Sequence, residues 1–531
     1  MTTPSPTKEA QTKRNPSVPP SMHCCATLES VRRQSREFAD PTIDVFVKRM
    51  PATNGGPKTT TNVWLLQGGP GYSSSVMENP LLSLLYQLNG TANIYTMDHR
   101  GTGRSTFLDC VAAEATTTGS PNGKEIDPSE VASCAQDLQD NAATDVVTFI
   151  SQYTNGANTI VYGASYETML VERLMHLNPP TVTGYVLDGV ATASGAPPGK
   201  FEYMSMWETD YGEVGDRFLE LCSEDTICSS HFKQPQTLPT ALPELLADFD
   251  KDPNSTCATV MDNVKTLGDD ALPSFTLRDM LGEMLMDADL RKLIPPVVYR
   301  SQRCNEQDVD VLTYFTKRFM EYVTATTQSA AYYSPLLYYL IVFSEMWETP
   351  TPTLSEMGKR FTDKNVTSGL YAFDLLYCAF SKEDSDELHY GNYSANGIIY
   401  ERDEYWNKSA KIPSQASVLL LSSKLDPQTP HKYLLEALDG DRKELVTFNT
   451  SIHGALVWTQ LDPEDVWSPT CGGKILASFV KNEGDMEGLD KSCVDEMPAF
   501  NPTASVDTET YYFSTDDVYD GALNSSLSSS Q

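Results

Sequence analysis

A mostly parallel β-sheet, covered by helices on both faces and interrupted by one large helical insertion, is the fold class this sequence predicts. Three observations carry that expectation. Short apolar, β-branched runs alternate with helical periodicities as far as Leu187. The alternation then stops, and from about residue 195 to 415 the patterns are mainly helical, around 276–293, 308–328 and 330–347. Strand-like runs return at Val418-Leu419-Leu420-Leu421-Ser422 and Leu445-Val446-Thr447-Phe448.

Residues 1–22, rich in Pro, Ser and Thr, read as a disordered leader. Ile43–Val47 alternates like a strand. Val63-Trp64-Leu65-Leu66 is a continuous apolar run suited to a strand buried on both faces. It empties into Gln67-Gly68-Gly69-Pro70-Gly71, where glycines let the backbone approach a ligand and point N–H groups at it. Ile94-Tyr95-Thr96-Met97 is the next buried strand, followed by Asp98-His99-Arg100-Gly101-Thr102-Gly103-Arg104-Ser105. Its G-x-G lacks a following G-K-[ST], so a phosphate loop is rejected. Residues 109–134 read as a surface excursion closed by a Cys110–Cys134 disulfide. A helix with Val146, Val147 and Ile150 inward leads to Thr159-Ile160-Val161-Tyr162-Gly163-Ala164-Ser165. There a strand meets a tight turn, and Leu170, Leu174 and Leu177 mark one face of the helix that follows, until Pro179-Pro180 stops it. Tyr185-Val186-Leu187 is one more strand. The resulting division is a core over 23–195, a helical cap over 196–415 inserted between the sixth and seventh core strands, a second core part over 416–498, and a flexible acidic, Ser-rich tail over 499–531.

Of the 531 residues, 40% are hydrophobic and 21% charged, an ordinary globular balance. The 39 Lys+Arg against 72 Asp+Glu leave a net charge of −33, which argues against nucleic acid or anionic membrane as a partner. The longest apolar run in a helical stretch, Leu336 to Phe343, is too short to span a bilayer. The first 22 residues carry Lys8, Lys13 and Arg14 but no apolar core, so no signal peptide is visible. Eleven cysteines offer the pairs Cys110/Cys134, Cys222/Cys228, Cys257/Cys304 and Cys471/Cys493, and no C-x-x-C occurs. With seven N-x-S/T glycosylation sites, this favours a secreted chain or another oxidising compartment, with a cytoplasmic one as the alternative.

The strand–turn–helix around Ser165 is the setting of a nucleophile elbow, in which the turn lifts a serine Oγ out of the sheet. A serine needs a base and a group to orient that base. Asp426, in the loop after Val418–Ser422, and His453, in the loop after Leu445–Phe448, supply both. The order Ser, Asp, His is that of α/β-hydrolases. His99 also sits at a strand end but precedes Ser165, and ranks below His453 as the base.

The segments Leu66-Gln67-Gly68-Gly69-Pro70-Gly71, Asp98–Ser105, Tyr162-Gly163-Ala164-Ser165-Tyr166 and Leu425-Asp426-Pro427-Gln428-Thr429-Pro430 occur in that order. Together they resemble the proline iminopeptidase and tripeptidyl aminopeptidase family of α/β-hydrolase serine peptidases, from about Cys25 to residue 480. The Cys25-Ala26-Thr27-Leu28 start resembles the tripeptidyl-type members. The chain departs from the family at Gln67, where the pattern has His, and at Glu167, where it has Gly.

The resemblance implies an aminopeptidase that attacks a peptide carbonyl with Ser165 and shuttles the proton through His453, which Asp426 orients. The oxyanion would meet the N–H of Tyr166 and one from Gly68 or Gly69. No metal and no cofactor is expected, because no H-E-x-x-H or dinucleotide fingerprint occurs. The family's exopeptidases hold the substrate's free amine with cap carboxylates, for which Glu345 and Glu348 are candidates. Glu167 is expected to brake catalysis: a carboxylate about 6 Å from the developing oxyanion costs roughly 3 kcal/mol at an effective dielectric near 20. Two alternatives follow, a silent hydrolase-fold binding protein blocked by Glu167, and an esterase or lipase-like hydrolase. Residue preference and oligomeric state are left open.

Overall fold

The structure, a computed structural model, describes residues 22–29, 42–108, 142–192, 195–197, 200–233, 235–264, 271–325, 332–381, 397–436, 438–462, 465, 468–524 and 526. Eight strands form the main sheet: β1 (Met22–Glu29), β2 (Thr42–Met50), β3 (Asn62–Leu66), β4 (Asn93–Met97), β5 (Thr159–Ala164), β6 (Val182–Asp188), β7 (Ser417–Ser423) and β8 (Lys443–Phe448). Their spatial order is β1-β2-β4-β3-β5-β6-β7-β8. β1 pairs antiparallel with β2, and β2 with β4; every other pairing is parallel. This is the α/β-hydrolase fold.

The continuous apolar runs follow from burial on both faces. Val63, Leu65, Ile160, Tyr162, Val186 and Leu419 point to one side, against Leu81 and Leu84 of α1 (Glu78–Gln87). Trp64, Leu66, Val161, Tyr185, Leu187 and Leu420 point to the other. There they meet Val146 and Ile150 of α2 (Ala142–Gln152) and Leu170, Val171 and Leu174 of α3 (Glu167–Leu177). Asn178 closes α3 in the left-handed region, and Pro179 follows.

The insertion enters between β6 and β7. Its helices α4 (Trp207–Glu224), α5 (Leu238–Lys251), α6 (Pro273–Met286), α7 (Ile294–Arg303) and α8 (Glu306–Val323) share one apolar core. α9 (Pro335–Glu345), α10 (Leu354–Thr362) and α11 (Phe373–Ser381) build a second, which also takes in Met169 of α3. Back in the core, α12 (Cys471–Lys481) joins α1 on its face of the sheet. Among the described residues no helix is long and apolar enough to cross a membrane.

Disulfides join Cys222 to Cys228, Cys257 to Cys304 and Cys471 to Cys493. The Cys110–Cys134 pair and most of the leader lie outside the described residues.

Met22–Glu29, which starts at the last residue of the expected leader and otherwise lies in the expected core, is a full edge strand in register with β2. One expectation changes. At the other end, residues 499–524 pack instead of forming a loose tail. Helix α13 (Val506–Phe513) puts Tyr512 and Phe513 into the first cap core. The buried Arg300 guanidinium on α7 donates to the carbonyls of Asp517, Val518 and Gly521 at 3.1, 2.5 and 2.8 Å, and to Asp308 at 3.0 Å. A buried guanidinium is tolerated when its donors are used, and here the tail supplies the acceptors.

Candidate active site

The carboxyl ends of the parallel strands line up the chemistry-bearing loops, as open α/β sheets do. Ser165 follows β5 with φ +58°, in the left-handed region a non-glycine residue rarely adopts. Its N–H donates to Asp188 O on the neighbouring strand at 2.8 Å, and its own carbonyl accepts from the N–H of Thr168 at 2.9 Å. Gly163 lets α3 sit tight on the strand, since a Cβ there would come within 2.7 Å of Glu167 O. Gly68, after β3, backs against the turn: a Cβ on it would lie 2.4 Å from Ala164 O and 3.0 Å from Tyr166 N. The Gly68 and Tyr166 backbones are thus neighbours.

Asp426 after β7 and His453 after β8 meet, with His453 Nδ1 at 2.8 Å from Asp426 Oδ2. A carboxylate only accepts, so the bond puts the proton on Nδ1 and leaves Nε2 with its lone pair. The carboxylate is further held by the N–H groups of Gln428 (2.9 Å) and Thr429 (3.0 Å) and by the Thr429 hydroxyl (2.6 Å). Burial works against the imidazolium, but Asp426 beside it and then Asp188 outweigh burial and raise the His453 pKa above the ordinary value. Ser165 and His453 do not hydrogen-bond directly in this structure; such bonds often tighten only with substrate bound.

The cap holds both loops. Trp207 Nε1 donates to Pro427 O at 3.0 Å, and Arg291 Nη2 to Thr450 O at 2.8 Å. Glu345 is paired with Arg173 at 2.9 Å and accepts from Tyr400 Oη at 2.6 Å, while Glu348 is paired with Arg360 at 2.6 Å. Both carboxylates considered for amine binding are therefore already engaged by arginines, of which Arg173 also pairs with Asp403. Glu167 is buried, and its Oε2 lies 3.1 Å from His99 Nε2. Its side chain is turned toward the loop after β4.

Several residues escaped the sequence reading. Asp98 is fully buried and accepts from the Ser74 N–H and the Arg104 N–H, both at 2.8 Å, and from Arg104 Nε at 2.7 Å. It pins the loop after β4 to the glycine-rich loop after β3, so the conspicuous Asp98–Ser105 segment is in good part scaffold. Glu202, buried beside Asp210 and Asp426, has its carboxyl pushed well above the usual range, first by burial and then by those neighbouring charges. Asp188, the last residue of β6, carries no signal in the sequence beyond the end of a strand.

The chain matches no protein-family model, and no curated protein matches it significantly. Among solved structures it is similar to a proline iminopeptidase from Mycobacterium smegmatis, at 12% identity over 83% of this chain and 96% of that one, with a TM-score of 0.32. An esterase from Exiguobacterium antarcticum gives 12% over 83% and 96%, with a TM-score of 0.30. A monoacylglycerol lipase from Paleococcus ferrophilus gives 14% over 83% and 99%, with a TM-score of 0.29.

Proposed function

We propose that this chain is a serine hydrolase working through an acyl-enzyme, with Ser165 as nucleophile, His453 as general base and acid, and Asp426 orienting the imidazole. The reading is carried by the 2.8 Å His453–Asp426 bond at the same sheet edge as a serine held at positive φ. Ser165 Oγ attacks the substrate carbonyl while its proton passes to His453 Nε2, and that proton later leaves with the departing amine or alcohol. The N–H of Tyr166 and one from Gly68 or Gly69 meet the oxyanion; each such donor is worth roughly 10²–10³ in rate. The disulfides Cys222–Cys228, Cys257–Cys304 and Cys471–Cys493 favour an oxidising compartment.

The motifs shared with the tripeptidyl and proline-releasing peptidases make an aminopeptidase acting on free peptide N-termini the first substrate reading. The arginine pairing of Glu345 and Glu348 favours a second, an esterase or lipase-like hydrolase, because an amine would have to compete with Arg173 and Arg360 for these carboxylates. A fluorophosphonate should label wild-type protein on Ser165 alone and leave Ser165→Ala unlabelled with nearly unchanged thermal unfolding. Stoichiometric labelling of the alanine variant would overturn the nucleophile. Turnover of free but not N-acetylated aminoacyl substrates would establish the peptidase reading, and preference for acyl esters the other.

A further inference from the structure

We infer that Asp188, at the carboxyl end of β6, is a positioning residue that aligns the Ser165 turn with the His453 loop. The inference rests on the roles just proposed for Ser165 and His453.

Asp188 is fully buried, and every polar atom it presents to these segments is used. Its backbone carbonyl accepts from the Ser165 N–H at 2.8 Å. Oδ1 accepts from the Ala455 N–H at 2.8 Å, and Oδ2 from the Leu456 N–H at 2.7 Å and the Tyr162 hydroxyl at 2.7 Å. Tyr162 lies three residues before Ser165, and Ala455 and Leu456 two and three after His453. One side chain therefore ties the strand carrying the serine to the turn carrying the histidine. Gly189 completes the contact: with φ +61°, its backbone runs under the imidazole, and a Cβ there would fall 2.8 Å from His453 Cε1.

The chemistry calls for a carboxylate. Three donors converge on two oxygens, and an amide would turn an NH₂ toward at least one of them. A buried acid is costly unless its bonds are made, and here they are made to the two catalytic segments. Asp188 also adds negative charge near His453. The charged groups acting on the ring are Asp426, in contact, and Asp188 behind it.

The test uses the full-length protein with a small activated ester. Asp188→Asn should lower kcat by ~10- to 100-fold through misalignment, with KM little changed. Losing a negative charge near the imidazolium should also move the acid limb of its pH–rate profile to lower pH, a shift that a merely structural change would not produce. Tyr162→Phe removes one donor and no charge; it should lower kcat by less and leave the acid limb in place. Wild-type kcat and an unmoved acid limb in folded Asp188→Asn would overturn the inference. Where Asp188→Asn does not fold, undiminished kcat in Tyr162→Phe would do so. Phosphonate labelling of wild-type Ser165 separates the two levels: with labelling intact, those results sink the role of Asp188 alone, whereas no labelling and no turnover in the wild type sink the hydrolase reading and this inference with it.

Discussion

In the sheet, a side chain's place follows from register. Parallel pairing sets Ala164 beside Asp188 and Asp188 beside Leu421, so the residues after three different strands reach one edge together. In the cap, place is fixed by long-range packing and cross-links: the Cys257–Cys304 bridge spans 47 residues, and Arg300 on α7 holds Val518. The difference teaches where each kind of damage should appear. A change at the sheet edge should cost rate and spare the fold, while a change in the cap away from Trp207 and Arg291, which hold the site loops, should cost stability and spare the chemistry at temperatures where the protein stays folded.

The largest expected effect lies on the sheet side. Asp426→Asn can still accept from Gln428 and Thr429 but leaves His453 in the wrong tautomer, and should lower kcat by ~10⁴. Thermal unfolding should move little. A drop in melting temperature matching the loss of rate would break the division between the two regions.

A middle-sized effect belongs to the cap bridges. In the chain-entropy account, the 47-residue separation of Cys257 and Cys304 is worth roughly 4 kcal/mol, and the 6-residue separation of Cys222 and Cys228 roughly 2. Denaturant unfolding of the two bridge-deleted variants should rank in that order, with ester turnover unchanged at low temperature. The reverse order would assign the cap's stability to packing instead.

The smallest effect is a pH dependence of cap stability. Glu208 and Glu283 are each pushed up to about 7 by burial, with Asp279 adding to the shift. Backbone N–H bonds from Ser368 and Tyr371 lower Glu208 only in part. A folded pKa above the unfolded one means the favourable contribution is complete below the unfolded carboxylate pKa and is lost as pH rises through about 7. The melting temperature should therefore fall by ~1–3 °C between pH 5 and pH 8. Glu283→Gln should flatten that slope, and an unchanged slope would place the titrating groups elsewhere.

The same division explains what could be read from the sequence. Val63–Leu66 and Val418–Ser422 announced themselves because strands buried on both faces must be apolar throughout. Asp426 and His453 were legible because each follows such a strand. Met22–Glu29 was missed because it pairs at an edge, next to a Pro- and Ser-rich leader, with no continuous apolar run. The tail was misread because acidic, polar composition says nothing of an arginine waiting more than 200 residues upstream. Glu167 was expected to brake catalysis from its place two residues after Ser165; its contact with His99, which comes from the loop after β4, could not be read from the sequence. Asp188 was invisible as more than a strand end, since all its partners come from other segments.

The insertion also sets an order in time. A chain emerging from the ribosome delivers Ser165 early, then the whole cap, and only afterwards β7 and β8 with Asp426 and His453. The contacts that fill Arg300's donors come later still, at Asp517, Val518 and Gly521. A nascent chain halted inside the cap therefore carries the proposed nucleophile without the base that would activate it. The proposed triad is assembled last, and a truncated product released in the cell that makes it would lack its base and orienting acid.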